Sequence, residues 1–386
     1  MPTRWTGWKT KYRLVRYVEA REKIRNNQLP GELFVRRAVG ERETFKFVMQ
    51  IDIEFNSGAQ LPMHAIPELA TLAEEHGFGC AWGGEANNKD PTVMLSSIAA
   101  VTRRMKIGSA VYHVLGRTPA TLALQAVGLN ELSRGRFLLG VGASNPTIAR
   151  WHGTTMDHPV NRVEEYLEIV RRAMRGEKLD FNGQYFRAHA FKLAFKPGGD
   201  PIPIYLAAFG PKMSRLAGQM FDGVLINMAN ADEIHRITDD VRQGAEKAGK
   251  DPARMEIICK IRCSIAHTYE AAREALSHAL TYYALADYYR DLLGRMGFGA
   301  EVEAMREAWK SGSFHNARKL ITDRLFNGLP LVAATSAEEV IKQIQPYKDA
   351  GVTRIILPYV AASDDIVGEM RNFIHYWNPA TTGIDS

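Results

Sequence analysis

Five stretches of this chain end an apolar run in residues able to hold a ligand or move a proton. The first run closes on Asp52, Glu54 and Asn56. A carboxylate there can accept a proton or touch a substrate, or simply hydrogen-bond along a rim. The second opens into Trp82-Gly83-Gly84-Glu85-Ala86-Asn87-Asn88-Lys89-Asp90-Pro91. Its Glu85 is a candidate acid, and the amides of Asn87 and Asn88 suit the edge of a flat heteroaromatic ring, although Asn pairs also form plain turns. The third gives Ser109-Ala110-Val111-Tyr112-His113. Small residues at Ala110 and Val111 let a planar ring approach the backbone, and His113 is a second candidate proton donor. The fourth ends Gly140-Val141-Gly142-Ala143-Ser144-Asn145-Pro146, where backbone N–H groups near Gly142 and the side chains of Ser144 and Asn145 suit hydroxyl or phosphate groups. No GK[ST] follows, so it is not a P-loop. The fifth is Ala207-Ala208-Phe209-Gly210-Pro211-Lys212. Gly210 and Pro211 open a helix with free N–H groups and Lys212 adds a positive charge, which makes a phosphate site.

These stretches need a scaffold that brings all five to one place. From Lys46 onward the chain alternates strand and helix signals. Eight apolar runs read as strands: 46–55, 78–84, 105–111, 136–142, 202–209, 222–227, 255–266 and 352–360. They are continuously apolar, as in a parallel sheet covered on both faces. Eight βα units in one chain fit an α/β fold of the (β/α)8 TIM barrel type, with function at the C-terminal ends of the strands. No early GxGxxG joins strand to helix, which counts against a Rossmann domain. Two insertions break the rhythm. Residues 178–197 alternate polar and apolar around Asn182-Gly183, a hairpin signal. Residues 267–336 read as helical, and would form either a lid over the mouth or a subunit contact.

Composition narrows the class. Of 386 residues, 46% are hydrophobic and 24% charged, which excludes disorder for the bulk of the chain. No apolar run reaches bilayer-spanning length and no signal-peptide core opens the sequence, so the expectation is a soluble cytoplasmic protein without membrane partners. Cys80, Cys259 and Cys263 show no metal-binding spacing, so no metal is expected. The net charge of +6 is local: residues 1–46 hold 12 Lys or Arg against 5 Glu. We divide the chain into a basic N-terminal arm, 1–45, and a barrel domain, 46–386. The arm also carries Trp5, Trp8, Tyr12, Leu14, Val15, Tyr17 and Val18, so packing on protein explains it better than nucleic-acid binding.

The runs 108–144, 162–186 and 201–227 resemble, in order, three blocks of the bacterial luciferase-like superfamily of flavin- and deazaflavin-dependent oxidoreductases. The likeness covers roughly 46–266 and 337–376. Asn87 to Pro91 is similar to the loop of the branch that uses the deazaflavin coenzyme F420, as in methylene-tetrahydromethanopterin reductase. The resemblance implies a homodimer and a non-proline cis peptide at Ala110-Val111 behind the coenzyme ring. It further implies that Gly210, Pro211 and Lys212, with Ala208 beside them, hold the coenzyme phosphate, and that Gly142 to Asn145 line the coenzyme or substrate side. Two departures matter. Ala86 follows Glu85 where many relatives have histidine, and Ser144-Asn145 stand where sugar-phosphate-oxidising relatives carry an acid. The expected function is hydride transfer between F420 and a small organic substrate. The alternatives are an FMN-dependent monooxygenase supplied by a flavin reductase and a flavin-binding protein without turnover.

Overall fold

The computed structural model describes residues 49–55 and 61–377. The arm at 1–45 and Asn56 lie outside them.

Eight parallel strands close into a ring: β1 (Gln50–Glu54), β2 (Cys80–Gly83), β3 (Lys106–Ser109), β5 (Phe137–Gly142), β8 (Ile204–Ala207), β9 (Gly223–Asn227), β10 (Glu256–Lys260) and β13 (Arg354–Pro358). Around the ring the order is β3-β2-β1-β13-β10-β9-β8-β5, and the β3–β5 pairing closes it. The TIM-barrel expectation holds. A short β4 (Tyr112–His113) continues β3 along β5. The register changes between them: Gly108 faces Leu138, whereas Tyr112 faces Val141. One extra residue is therefore accommodated at 109–111, a β-bulge at the rim of the barrel.

The helices between strands start where the sequence signals them. Helices α2 (Pro91–Val101), α3 (Pro119–Leu132), α4 (Pro146–Trp151) and α6 (Pro211–Met220) each begin on a proline, whose fixed φ suits the first turn. Asp90, Thr118 and Asn145 cap the first three by accepting backbone N–H groups. Alternation along each strand builds two cores. Outward residues such as Ile51, Ile53, Ile107, Leu139 and Leu206 pack under the helices. Inward residues Cys80, Trp82, Ala110, Leu138, Tyr205, Leu225, Ile258 and Ile356 fill the barrel.

Below the mouth the interior is ionic. Asp52, fully buried, lies 2.8 Å from Arg354 and accepts from Trp82 Nε1 at 2.7 Å. Burial raises its pKa and Arg354 opposes that rise. Tyr205 hydrogen-bonds Glu256 nearby. Asp52 is thus a packing residue, not the substrate contact its place in the first run suggested. The three cysteines are buried and unpaired, and burial pushes each thiol's pKa up.

The hairpin forms between β6 (Asp180–Asn182) and β7 (Arg187–His189). The apolar run 255–266, expected as one strand, is two. Ile261 N still donates to Ile356 O, but Arg262 N turns to Pro330 O. From there β11 (Arg262–Ile265) stays bridged beside β13 through Cys263 and Tyr359 and pairs on its other side with β12 (Leu331–Ala334). Residues 331–334 are therefore strand, not helix, because a second small sheet roots the insertion. Between them run α8 (Tyr269–Leu285), α9 (Asp287–Arg295), α10 (Gly299–Lys310) and two shorter helices around a core of their own that includes Leu276, Leu280, Leu292, Phe298, Met305 and Phe326. Among the described residues no helix is long and apolar enough to cross a membrane.

Candidate active site

The bulge after β3 is the centre of the mouth. The peptide bond between Ala110 and Val111 is cis. Ala110 N donates to Gly83 O at 2.8 Å, and Glu85 N donates to Val111 O at 3.0 Å, so the bulge is clamped to β2. Across the barrel, Lys260 Nζ donates to Ala110 O at 2.7 Å and pairs with Glu54 at 3.0 Å from Oε2. Its hydrogen bond to that carboxylate runs to Oε1 at 3.1 Å, which leaves Oε2 buried with a charge contact and no hydrogen bond. Glu54 and Lys260 are the pair that sequence reading did not connect. They lie 206 positions apart, and only the inward alternation of both strands puts them together.

The floor beside the bulge is made of small groups. A Cβ on Gly142 would lie 3.0 Å from Val111 Cγ2 and 3.2 Å from Ala207 Cβ. Gly84 has less room still, since a Cβ there would meet Ala110 O at 2.7 Å. Val111 and Ala207 are half-buried at the inner rim, while Gly142 and Ala208 are buried. From this floor β8 leads to Gly210. A Cβ at Gly210 would meet nothing within 4 Å, and no side chain caps α6, so its first N–H groups are free. Pro211 and Lys212 are exposed at the same point. The carbonyl of Phe209, just before the turn, accepts from Arg236 at 2.6 Å and Arg295 at 3.2 Å, both held by Glu233.

Two further buried polar atoms at the mouth make no hydrogen bond. Ser144, at φ 77°, buries its Oγ without a hydrogen bond. His113 sits beside Gly142 and makes one side-chain hydrogen bond, from Nε2 to the Glu85 carbonyl at 2.7 Å. That contact assigns the proton to Nε2 and leaves Nδ1 as a buried acceptor with no donor. Burial lowers the His113 pKa, against the pull of Glu85.

The other expected residues are placed differently. Glu85 has both oxygens engaged: Oε1 with Arg117 at 2.8 Å, Oε2 with His113 N at 2.8 Å. Arg117 also pairs with Asp90 and lies over the Tyr112 ring. Glu85 is therefore tied into a clamp between the β2 and β4 loops, which removes it as a freely placed proton donor. Asn145 spends Oδ1 on Thr147 N and Ile148 N as the α4 cap. Asn87 and Asn88 are exposed on the loop that the Glu85–Arg117–Asp90 cluster secures.

The insertion closes one side. Tyr289 and Tyr288 of α9 pack against Phe209 with ring centres 5.8 and 5.0 Å away. Asn227 Nδ2, at the end of β9, donates to Tyr289 Oη at 2.7 Å. A groove of about 680 Å³ between α9 and α10 is lined by Arg290, Asp291, Arg295 and Glu303.

A closed eight-stranded barrel with a bulged third strand, a small-residue floor and an open helix N-terminus after the fifth barrel strand defines a class. The family model for luciferase-like monooxygenases matches residues 44–354, and the chain belongs to that family. It is 30% identical over 314 residues to the 5,10-methylenetetrahydromethanopterin reductase of Archaeoglobus fulgidus, covering 80% of this chain and 92% of that one. The structure of the coenzyme F420-dependent tetrahydromethanopterin reductase of Methanopyrus kandleri superposes with a TM-score of 0.74 at 22% identity, over 86% of this chain and 98% of the other. The oxygenating constituent of 3,6-diketocamphane monooxygenase from Pseudomonas putida, in complex with FMN, gives a TM-score of 0.61 at 19% identity, over 86% and 98%.

Proposed function

We propose that the chain is an oxidoreductase that moves a hydride between the deazaflavin coenzyme F420 and a small organic substrate. Membership of an enzyme family sets aside a carrier without turnover. The observation that carries the reading is the cluster of small groups at the Ala110–Val111 bulge, Gly142 and Ala207, with the uncapped helix at Gly210 three residues further along the chain. The cluster is free of large side chains, and the helix N-terminus attracts anions. The orphaned Ser144 Oγ and His113 Nδ1 beside it offer hydrogen bonds that the chain itself does not use. The residues present thus fit a tricyclic ring with a phosphorylated tail.

When bound, such a coenzyme supplies the hydride chemistry at its central ring. The chain's own residues do the rest. Val111, Gly142 and Ala207 take one face of the ring, and Ala208 backs the strand end. Gly210, Pro211 and Lys212 take the phosphate. Neutral His113 can only accept through Nδ1, so it meets a hydroxyl or N–H. Glu54, whose Oε2 makes no hydrogen bond and lies 3.0 Å from the Lys260 ammonium, is the carboxylate we assign to the substrate side. Glu85 and Asn145 act by positioning the loops, Asn87 and Asn88 by offering amides at the rim. The aromatic wall of Phe209, Tyr288 and Tyr289 excludes water.

The test is a titration of purified protein with F420 and with FMN. F420 should bind and leave a characteristic absorbance after removal of excess, and Lys212→Ala should weaken it by about tenfold, the worth of one charge-assisted contact. Binding of FMN alone rejects the F420 reading. A second reading, an FMN monooxygenase fed by a partner flavin reductase, draws support from the family's description. Substrate-dependent oxygen uptake with reduced FMN distinguishes it. The outer faces of α2 and α3 expose Val93, Val101, Leu124 and Leu132. We assign that surface to the homodimer contact, and Leu124→Glu should shift the sedimentation coefficient to that of a monomer.

A further inference from the structure

The mouth has a second polar site, facing the bulge from the opposite wall. In the ring of eight, β10 lies diametrically across from β3. Asn227, which pairs in register with Lys260, points inward at the end of β9. Arg262 joins it where the strand changes partner: Nη1 donates to Asn227 Oδ1 at 2.8 Å and Nη2 donates to Tyr283 Oη. The guanidinium lies over the Tyr283 ring, 4.5 Å from its centre. Tyr283 meets Tyr289 edge-on at 4.9 Å, and Tyr289 returns to Asn227 through its hydroxyl.

What sets Arg262 apart is charge. The other arginines around the mouth are neutralised, Arg117 by Glu85 and Asp90, Arg236 and Arg295 by Glu233. Arg262 is half-buried, and its partners are an amide, a phenol and the sulfur of Met228 at 3.8 Å, all neutral. Its Nε–H and one Nη2–H have no acceptor among the described residues. A planar cation held by neutral groups, with donors to spare and a tyrosine face beside it, is prepared for an oxyanion.

We propose that Arg262, with Asn227, Tyr283 and Tyr289, forms a subsite for the carboxylate of a flat organic acid, the substrate. The proposal rests on the reading above that the coenzyme ring lies on the Ala110–Val111 side. The substrate then occupies the remaining space, between the ring and the β9–β10 wall, with its carboxylate on Arg262 and its body on the tyrosines. The coenzyme's own anion is drawn instead to Gly210 and Lys212, at the end of β8.

The experiment is calorimetric titration of the full chain, unloaded and saturated with F420, using benzoate and the isosteric neutral benzamide as probes. Benzoate should bind on the order of tenfold or more tightly than benzamide, the worth of a charge-assisted hydrogen bond. Arg262→Met should abolish that preference and leave F420 affinity unchanged. Arg262→Lys, which keeps the charge but loses the planar fork, should retain a reduced preference and guards against a variant that fails to fold. Equal binding of the two probes to the parent protein overturns the proposal, as does absence of benzoate binding at millimolar concentration. So does a folded Arg262→Met with unaltered benzoate affinity, or one that loses F420 and keeps benzoate, which would give the anion to the coenzyme tail. If the parent binds no F420 yet discriminates benzoate through Arg262, the subsite stands and the coenzyme reading falls.

Discussion

Replacing Lys260 by Met removes the cation that joins two walls of the barrel, and the cost can be worked from the geometry. The ammonium lies 3.0 Å from Glu54 Oε2, with the two side chains only 13% and 7% exposed. At an effective dielectric constant of about 20, that attraction is about 5.5 kcal/mol. Desolvation of both ions offsets most of it in the intact protein, so the pair is close to neutral for stability. The single variant is different, because it leaves a buried carboxylate without its counter-charge and Ala110 O without its donor. Lys260→Met should therefore lose about 3–5 kcal/mol. Lys260→Met combined with Glu54→Gln should recover much of that loss, since no net charge then remains buried. The assay is urea unfolding followed by tryptophan fluorescence, with Trp82 fully buried inside the barrel as an internal reporter. A double-mutant cycle with additive losses would refute the reasoning, because it would mean that the carboxylate does not depend on the ammonium.

Two further outcomes follow from the same mouth. Gly84→Ala drives a Cβ to 2.7 Å from a backbone oxygen, a contact no rotamer change relieves, and should cost about 1–3 kcal/mol and weaken F420 in the titration above. Burial depresses the His113 pKa below that of the unfolded chain. Its contribution to stability is thus complete above the unfolded value of about 6.5 and is lost as pH falls from there through the folded pKa. The melting temperature should decline as pH falls below about 6.5, and His113→Gln should flatten that limb while leaving the neutral-pH coenzyme affinity to report on Nδ1.

Much of this was legible in the residues for a physical reason. Strands buried on both faces are largely apolar, and several helices that follow them begin on a proline whose fixed φ suits the first turn. Asp90-Pro91, Thr118-Pro119, Asn145-Pro146 and Gly210-Pro211 therefore locate four strand ends directly. What the residues hide is whether a polar group is spent locally. Asn145 is spent as a cap, and Glu85 on Arg117, a residue 32 positions away. Asp52 reads like Glu54, since both point inward from one strand, and only depth separates a packing carboxylate beside Arg354 from one at the mouth. The change of partner at Ile261 is equally silent, because the apolar run continues beside β13 while β12 takes the place of β9 on its other side.

The contact between Lys260 and Ala110 connects these observations. β3 and β10 occupy opposite sides of the ring, yet a lysine from one reaches a backbone carbonyl of the other. The mouth at that level is therefore only one lysine side chain wide, and a flat ligand must lie above it, not in the barrel. That height selects the residues at the strand ends and just past them: Val111, Gly142 and Ala207 on one side, Asn227 and Arg262 on the other. It also explains why the strand changes partner immediately after Lys260. The chain that continues there carries Arg262 and then brings Tyr283 and Tyr289 back over the opening, so one segment supplies both the floor brace and the wall. Substitutions at Lys260 should disturb both faces of the site, whereas those at Arg262 should disturb only one.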